Sequence, residues 1–236
     1  MKFELLKTYA EDNGFILSDK QADQFERFAD MLIEKNKVMN LTAILEPREI
    51  EIKHMIDSIG AASLIKDLGG NSFSLLDVGC GAGFPGIPLK ILYPENKFTL
   101  LDSSNKRINF VNEVIIALEL ENISAVAARA EDFKERELYD ICISRAVASL
   151  NVLCEYTLPF VKVGGHCIFY KSTDIEEEIE DAKAAIIELG GSLLCVNKHE
   201  LPENCGGRSH VVIRKVSETP LKYPRRAGKP AKSPIK

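Results

Sequence analysis

The residues best suited to chemistry lie in one stretch, LLDVGCGAGFPG at 75–86, where Asp77 is followed by Gly79, Gly81, Gly83 and Gly86. Glycine is needed where a backbone turns sharply or must lie against a ligand with no Cβ in the way. A tight strand-to-helix turn alone can be glycine-rich, but four glycines in eight positions point to a ligand. Gly81 to Gly86 satisfies G-x-G-x-x-G, the dinucleotide fingerprint. Asp77 argues for a different ligand, because a carboxylate at a strand end opposes an anionic pyrophosphate. It suits the ammonium and sulfonium of S-adenosylmethionine, and Phe84 and Pro85 sit badly in a dinucleotide turn. Asp102 closes the next apolar run at the place where an acid takes the hydroxyls of an adenosine ribose, or else caps a helix. Ala130 and Glu131, after the third run, fall beside the adenine.

The fourth run ends in Ser144-Arg145-Ala146-Val147, which puts Arg145 at the reacting centre. Arginine stays charged and is no base. It holds a phosphate, stacks on a base, fixes an acceptor by forked hydrogen bonds, or pairs with a neighbouring acid. The chain has no N/D-P-P-Y/F segment to grip an exocyclic amine and no Pro-Cys pair to attack a pyrimidine carbon. Guanine N7 needs neither. It attacks a methyl carbon with its own lone pair and loses no proton, so catalysis reduces to positioning and desolvation.

The elements that must position these residues follow from hydrophobic rhythm. Residues 1–70 read as a helical extension: Ser18 and Gln21 form a capping box, Phe25, Phe28, Leu32 and Ile33 make an apolar stripe, and Pro47 starts another helix. Residues 71–218 alternate short apolar runs with helical patterns. The runs end near Val78, Asp102, Ala128, Ser144 and Lys171, and a closing hairpin spans SLLCVNKHEL and SHVVIRKV. Runs apolar on both faces indicate a parallel sheet covered on two sides. Asp174 to Asp181 is acidic, but Ile175, Ile179, Ala182 and Ile186 give it a buried stripe, so its acids face solvent.

Thirty basic and 35 acidic residues leave the 236-residue chain at −5. Residues 219–236 hold six basic residues, four prolines and no acid, so the preceding body carries −11. That asymmetry marks the tail as an irregular, basic arm for RNA. No apolar run approaches the roughly 18 residues of a membrane span. The six cysteines lack metal-ligand spacing, so no metal is expected, and they sit mostly in apolar runs typical of a reduced, cytoplasmic protein.

Taken together, Asn40-Leu41-Thr42 with His54, Asp57 and Ser58, LLDVGCGAGFPGIPL, LLDSSNKRINF, Ala130-Glu131, SRAV and YPRRAGKPAKSPI resemble the RsmG (GidB) family, the 16S ribosomal RNA guanine-N7 methyltransferases. The resemblance covers nearly the whole chain. It implies an α/β, Rossmann-like class I S-adenosylmethionine-dependent methyltransferase fold. That fold is a doubly wound seven-stranded sheet with its last strands antiparallel. It implies cofactor contacts at Gly79, Phe84, Ala130, Glu131 and Arg145, to which the loop and ribose arguments add Gly81 and Asp102. Arg145 is the expected catalytic residue. Asn40, His54, Lys106, Lys171, Arg225 and Arg226 are expected on the side of 16S rRNA, within the small ribosomal subunit or an assembly intermediate of it. One departure is visible, since Ser172 follows Lys171 where the family commonly has glycine. Two other readings remain open at this point: an NAD-dependent oxidoreductase using Gly81, Gly83 and Gly86, and a non-enzymatic RNA-binding module.

Overall fold

The computed structural model describes residues 2–236. Helix α1 (Glu4–Asp12) precedes α2 (Asp19–Met39), whose start is the capping box read from the sequence. Ser18 Oγ accepts from the Gln21 amide at 3.3 Å, and Gln21 Oε1 accepts from the Ser18 amide at 3.0 Å. Asn40 ends α2 in a left-handed conformation. Next come α3 (Pro47–Ile50), a π-helical stretch Glu51–Ile56, and α4 (Asp57–Ile59). The wider π turn, a feature often found at functional sites, carries His54 and leads into Asp57. Helix α5 (Ala62–Gly69) completes this region.

The sheet then begins with β1 (Ser74–Val78), α6 (Gly86–Leu92), β2 (Lys97–Asp102), α7 (Asn105–Ala117) and β3 (Ile123–Ala127). It continues through β4 (Tyr139–Arg145), α8 (Leu150–Thr157), β5 (Val161–Ser172), α9 (Glu176–Glu188), β6 (Gly191–Glu200) and β7 (Gly207–Lys215). The strand order is β3-β2-β1-β4-β5-β7-β6. The chain winds outward from β1 in one direction and from β4 in the other, so a crevice opens where those two strands end. Of the closing pair only β7 runs against the rest. It is antiparallel to both β5 and β6, because the short return at 201–206 folds it back between them.

Side-chain alternation splits the core into two layers. Leu75, Leu100, Ile141 and Ile168 face one side, while Leu76, Leu101, Cys142 and Phe169 face the other. The first layer is shared with Leu6, Phe25, Phe28 and Met55, so the N-terminal helices pack directly on the sheet. The second is closed by Leu153, Phe160 and Ile186 from α8, the turn after it, and α9. The exposed acids of α9, Glu177, Glu180 and Asp181, point away from that layer.

The basic tail is mostly irregular, as its prolines lead one to expect, but it lies against the body. It runs back over α8 and α9 and ends in a short helix, α10 (Lys229–Lys232). Tyr223 is buried with its hydroxyl donating to Glu188, and Arg136 holds the carbonyls of Thr219 and Tyr223. Arg225, expected on RNA, instead grips the buried Glu155 carboxylate through Nε at 2.9 Å and Nη2 at 2.5 Å. A buried carboxylate on α8 captures the guanidinium because an unpaired charge there costs several kcal/mol, on the order of 3–5. Arg226 remains exposed.

Candidate active site

The glycine turn is built from backbone constraints. Gly79, Gly81 and Gly83 all have positive φ, at 78°, 57° and 101°. A Cβ on Gly79 would lie 2.3 Å from Val147 Cγ2, whereas one on Gly81 would meet nothing within 4 Å. Gly79 is therefore fixed by Val147 in the loop that follows β4, and Gly81 leaves its Cα face open. The turn is pinned from below: the amides of Gly79 and Cys80 donate to the Leu101 carbonyl at 2.7 and 3.1 Å. Ser144 Oγ donates to the Val78 carbonyl at 2.7 Å, joining the ends of β1 and β4.

Asp77 does not face the ligand crevice as expected. It is fully buried beneath the turn, where Oδ2 accepts from the Gly86 amide at 2.9 Å and Oδ1 has no partner among the described residues. Burial pushes its carboxyl well above the ordinary carboxylate range, against the opposing pull of the Gly86 amide. Its job is to fasten the far end of the turn to the start of α6. Asp102 has a double role. Oδ2 accepts from Gly81 N at 3.0 Å and Oδ1 from Ser104 N at 2.8 Å, yet the residue also lines the crevice. The cap of α7 is Ser104, whose hydroxyl accepts from the Arg107 amide.

The crevice at the ends of β1, β2 and β4 is a cleft of about 460 Å³. It brings together every residue expected at the cofactor: Gly79, Gly81, Phe84, Asp102, Ala130, Glu131 and Arg145. Ala130 and Glu131 sit on a single 3₁₀ turn after β3. Glu131 accepts from the Gly228 amide of the tail at 2.8 Å, and its charge acts on the Tyr156 phenol. Burial, followed by the charge of Glu131, pushes the Tyr156 phenol up to about 12. Carboxylates on two walls and apolar Val78, Leu101 and Phe84 between them suit a neutral or cationic nucleoside.

Phe84 is packed among His54, Arg145 and Phe28. His54 lies parallel to it with ring centroids 4.6 Å apart, and the Arg145 guanidinium stands 5.3 Å from its centroid. The Thr42 hydroxyl lies 2.8 Å from His54 Nε2, and Nδ1 has no partner among the described residues. Burial and then the Arg145 charge lower His54 to about 3, so the imidazole is neutral. Arg145 Nη1 bonds Asp57 Oδ2 at 2.8 Å and the Lys53 carbonyl at 3.3 Å. Ala146, the next residue, adopts a positive φ of 56° and forms the ridge of the cleft.

The remaining residues expected on RNA scatter. Asn40 is exposed at the end of α2, while its neighbours Leu41 and Thr42 reach the cleft. Lys106 is exposed on α7 and lines neither this cleft nor the one beside it. Lys171 lines a neighbouring cleft, with its ammonium on Glu178 at 2.6 Å and the Ala148 carbonyl at 2.8 Å. Sequence reasoning missed Thr42, Val147 and Tyr156 as cleft residues. Val147 had a signal, since it follows Arg145 out of the strand.

Residues 21–205 match the family model for rRNA small subunit methyltransferase G. The chain belongs to that family. The ribosomal RNA small subunit methyltransferase G of Desulforamulus reducens is 51% identical over 98% of this chain and 97% of its own length. That of Staphylococcus saprophyticus is 50% identical over 94% of each. The membership displaces both the oxidoreductase reading and the non-enzymatic one. The fold is that of Rossmann-like S-adenosylmethionine-dependent methyltransferases. It is shared with M. jannaschii TYW2 in complex with AdoMet, at a TM-score of 0.53 and 19% identity over 66% of this chain and 74% of that one. A SAM-dependent methyltransferase from Aquifex aeolicus matches at 0.53 and 17% identity, over 72% and 94%.

Proposed function

We propose that this chain uses S-adenosylmethionine to methylate N7 of one guanine in 16S rRNA, in the decoding-region loop of the cytoplasmic small ribosomal subunit or its precursor. The observation that carries the N7 assignment is the chemistry of the ionisable side chains around Arg145. Arg145 is a permanent cation and His54 is a neutral imidazole too weakly basic to take a proton near pH 7. Asp57 is occupied by arginine. An exocyclic amine or a ribose hydroxyl must lose a proton during methylation, but N7 has none to lose.

The cleft fits the cofactor. Gly81 opens the turn towards it, Asp102 and Glu131 offer carboxylates for hydroxyl and amine donors, and Gly79, Ala130 and Phe84 supply close backbone and apolar contact. When bound, S-adenosylmethionine supplies an electrophilic methyl group. Arg145 fixes the acceptor through its forked donors, and its own position is set by Asp57, Phe84 and the Lys53 carbonyl. His54 and Phe84 close off water. Lys171, Asn40, Lys106 and Arg226 are proposed on the RNA side, with no part in the chemistry.

Borohydride and aniline cleave RNA at 7-methylguanosine. Small-subunit rRNA from cells expressing this chain is expected to break at one guanine, and rRNA from a deletion strain to stay whole there. A deletion strain whose rRNA still breaks at that site overturns the assignment.

A further inference from the structure

Beside the cofactor cleft lies a second one of about 410 Å³, joined to it through His54, Arg145 and Ala146. Its other walls are Lys53, Asp57, Tyr170, Lys171, Ser172 and Arg208. Asp57 organises it. This buried carboxylate receives Arg145 Nη1 on Oδ2 at 2.8 Å and Arg208 Nε on Oδ1 at 3.1 Å. One carboxylate between two guanidiniums leaves a surplus positive charge, held rigidly where an isolated carboxylate would be costly to bury. Arg208 Nη1 is tied to the Gly207 carbonyl at 3.0 Å, while its Nη2 has no partner among the described residues. Tyr170 borders the cleft but is buried, with its ring edge-on to His210 and its hydroxyl anchored on the Ser58 carbonyl at 2.8 Å.

Guanine N7 lies on the edge that the deep, narrow major groove of an RNA helix hides, so a base methylated there must be presented outside the stack. A cleft that adjoins the methyl-transfer cleft and carries surplus positive charge fits such a base with its phosphate. We propose, resting on the guanine-N7 reading above, that the second cleft receives the everted target nucleotide. Arg208 binds its 5′-phosphate, and Asp57 is the positioning residue that sets Arg145 and Arg208 side by side. Asp57, Arg145 and Arg208 come from α4, β4 and β7, so no local motif joins them.

The test is calorimetric titration of 5′-GMP and guanosine into protein saturated with S-adenosylhomocysteine, alongside methylation kinetics on small-subunit rRNA. GMP is expected to bind wild type roughly tenfold tighter than guanosine, the size of one charged contact. In Arg208→Ala that gap closes, and in Arg208→Lys part of it returns. The affinity of Arg208→Ala for S-adenosylhomocysteine stays at the wild-type value, which reports an intact fold. Arg208→Ala raises KM for rRNA with little change in kcat, whereas Asp57→Asn raises KM and lowers kcat together. Equal or undetectable binding of GMP and guanosine to wild type, or a gap that persists in Arg208→Ala, overturns the site. The two layers separate cleanly. A wild type that leaves no 7-methylguanosine on rRNA breaks the underlying reading, and one that leaves the mark while Arg208→Ala keeps its KM breaks only the nucleotide site.

Discussion

The glycine turn at 79–86 and the basic segment after Thr219 both shape the cofactor cleft, but they are specified in opposite ways. The turn is set by its own residues: positive φ at Gly79, Gly81 and Gly83, and hydrogen bonds to the adjoining strand. The tail is set by partners far along the chain. Arg225 is held by Glu155, 70 residues away, and the Gly228 amide by Glu131, 97 residues away. A conformational requirement is visible in local sequence, whereas the destination of a charge depends on which opposite charge the fold has buried. Six basic residues without an acid described a composition. They did not describe a surface.

That contrast can be broken at either end. The largest effect is expected from Gly79→Asp. The new Cβ overlaps Val147 and the backbone is left-handed there, so affinity for S-adenosylhomocysteine should fall roughly 100-fold or more. Gly81→Ala, with open space at its Cβ, should lose about tenfold, from strain of about 1–2 kcal/mol. Equal losses in the two variants would mean that the turn responds to glycine content alone. On the tail, Arg225→Ala strands the buried Glu155 carboxylate and should destabilise the fold by about 3 kcal/mol in urea unfolding. A free RNA arm would show no change.

Acid acts on the turn through His54. Its imidazole stays neutral down to about 3 in the fold but binds a proton below 6.5 once unfolded. Stability is therefore complete above about pH 6.5 and is lost as the pH falls from there towards 3. At pH 5 His54 contributes about 2 kcal/mol of the loss, beside the equally depressed and buried His210, so urea midpoints at pH 7 and 5 should differ less in His54→Gln than in wild type. An equal loss in both proteins contradicts the buried, neutral imidazole. The smallest effect concerns the Gly228 contact. Ending the chain at Arg226 keeps the Arg225–Glu155 pair but removes the amide that props Glu131, and S-adenosylhomocysteine affinity should drop roughly tenfold. Unchanged affinity would make the tail a brace for α8 only.

Most of the cofactor cleft was legible in sequence because its residues close consecutive apolar runs. Asp102, Glu131 and Arg145 follow strands whose ends a doubly wound sheet gathers into one crevice. Asp77 was misjudged by one step of strand alternation, which turns its carboxylate under the turn towards Gly86. The hairpin was read correctly as a pairing, but the position of β7 between β5 and β6 follows from how the sheet edge is filled, which no local pattern encodes. Arg208 was invisible for the same reason. It lies on the inserted strand and meets Asp57 only in three dimensions.

The most direct test of the account is methyl transfer by the purified chain to unmethylated 16S rRNA, free and within intact small subunits, followed by borohydride–aniline cleavage. The account predicts methyl incorporation with scission at a single guanine in at least one of these substrates, and loss of both in Arg145→Ala. Incorporation of methyl groups without scission would place the methyl on an atom other than N7 and contradict it.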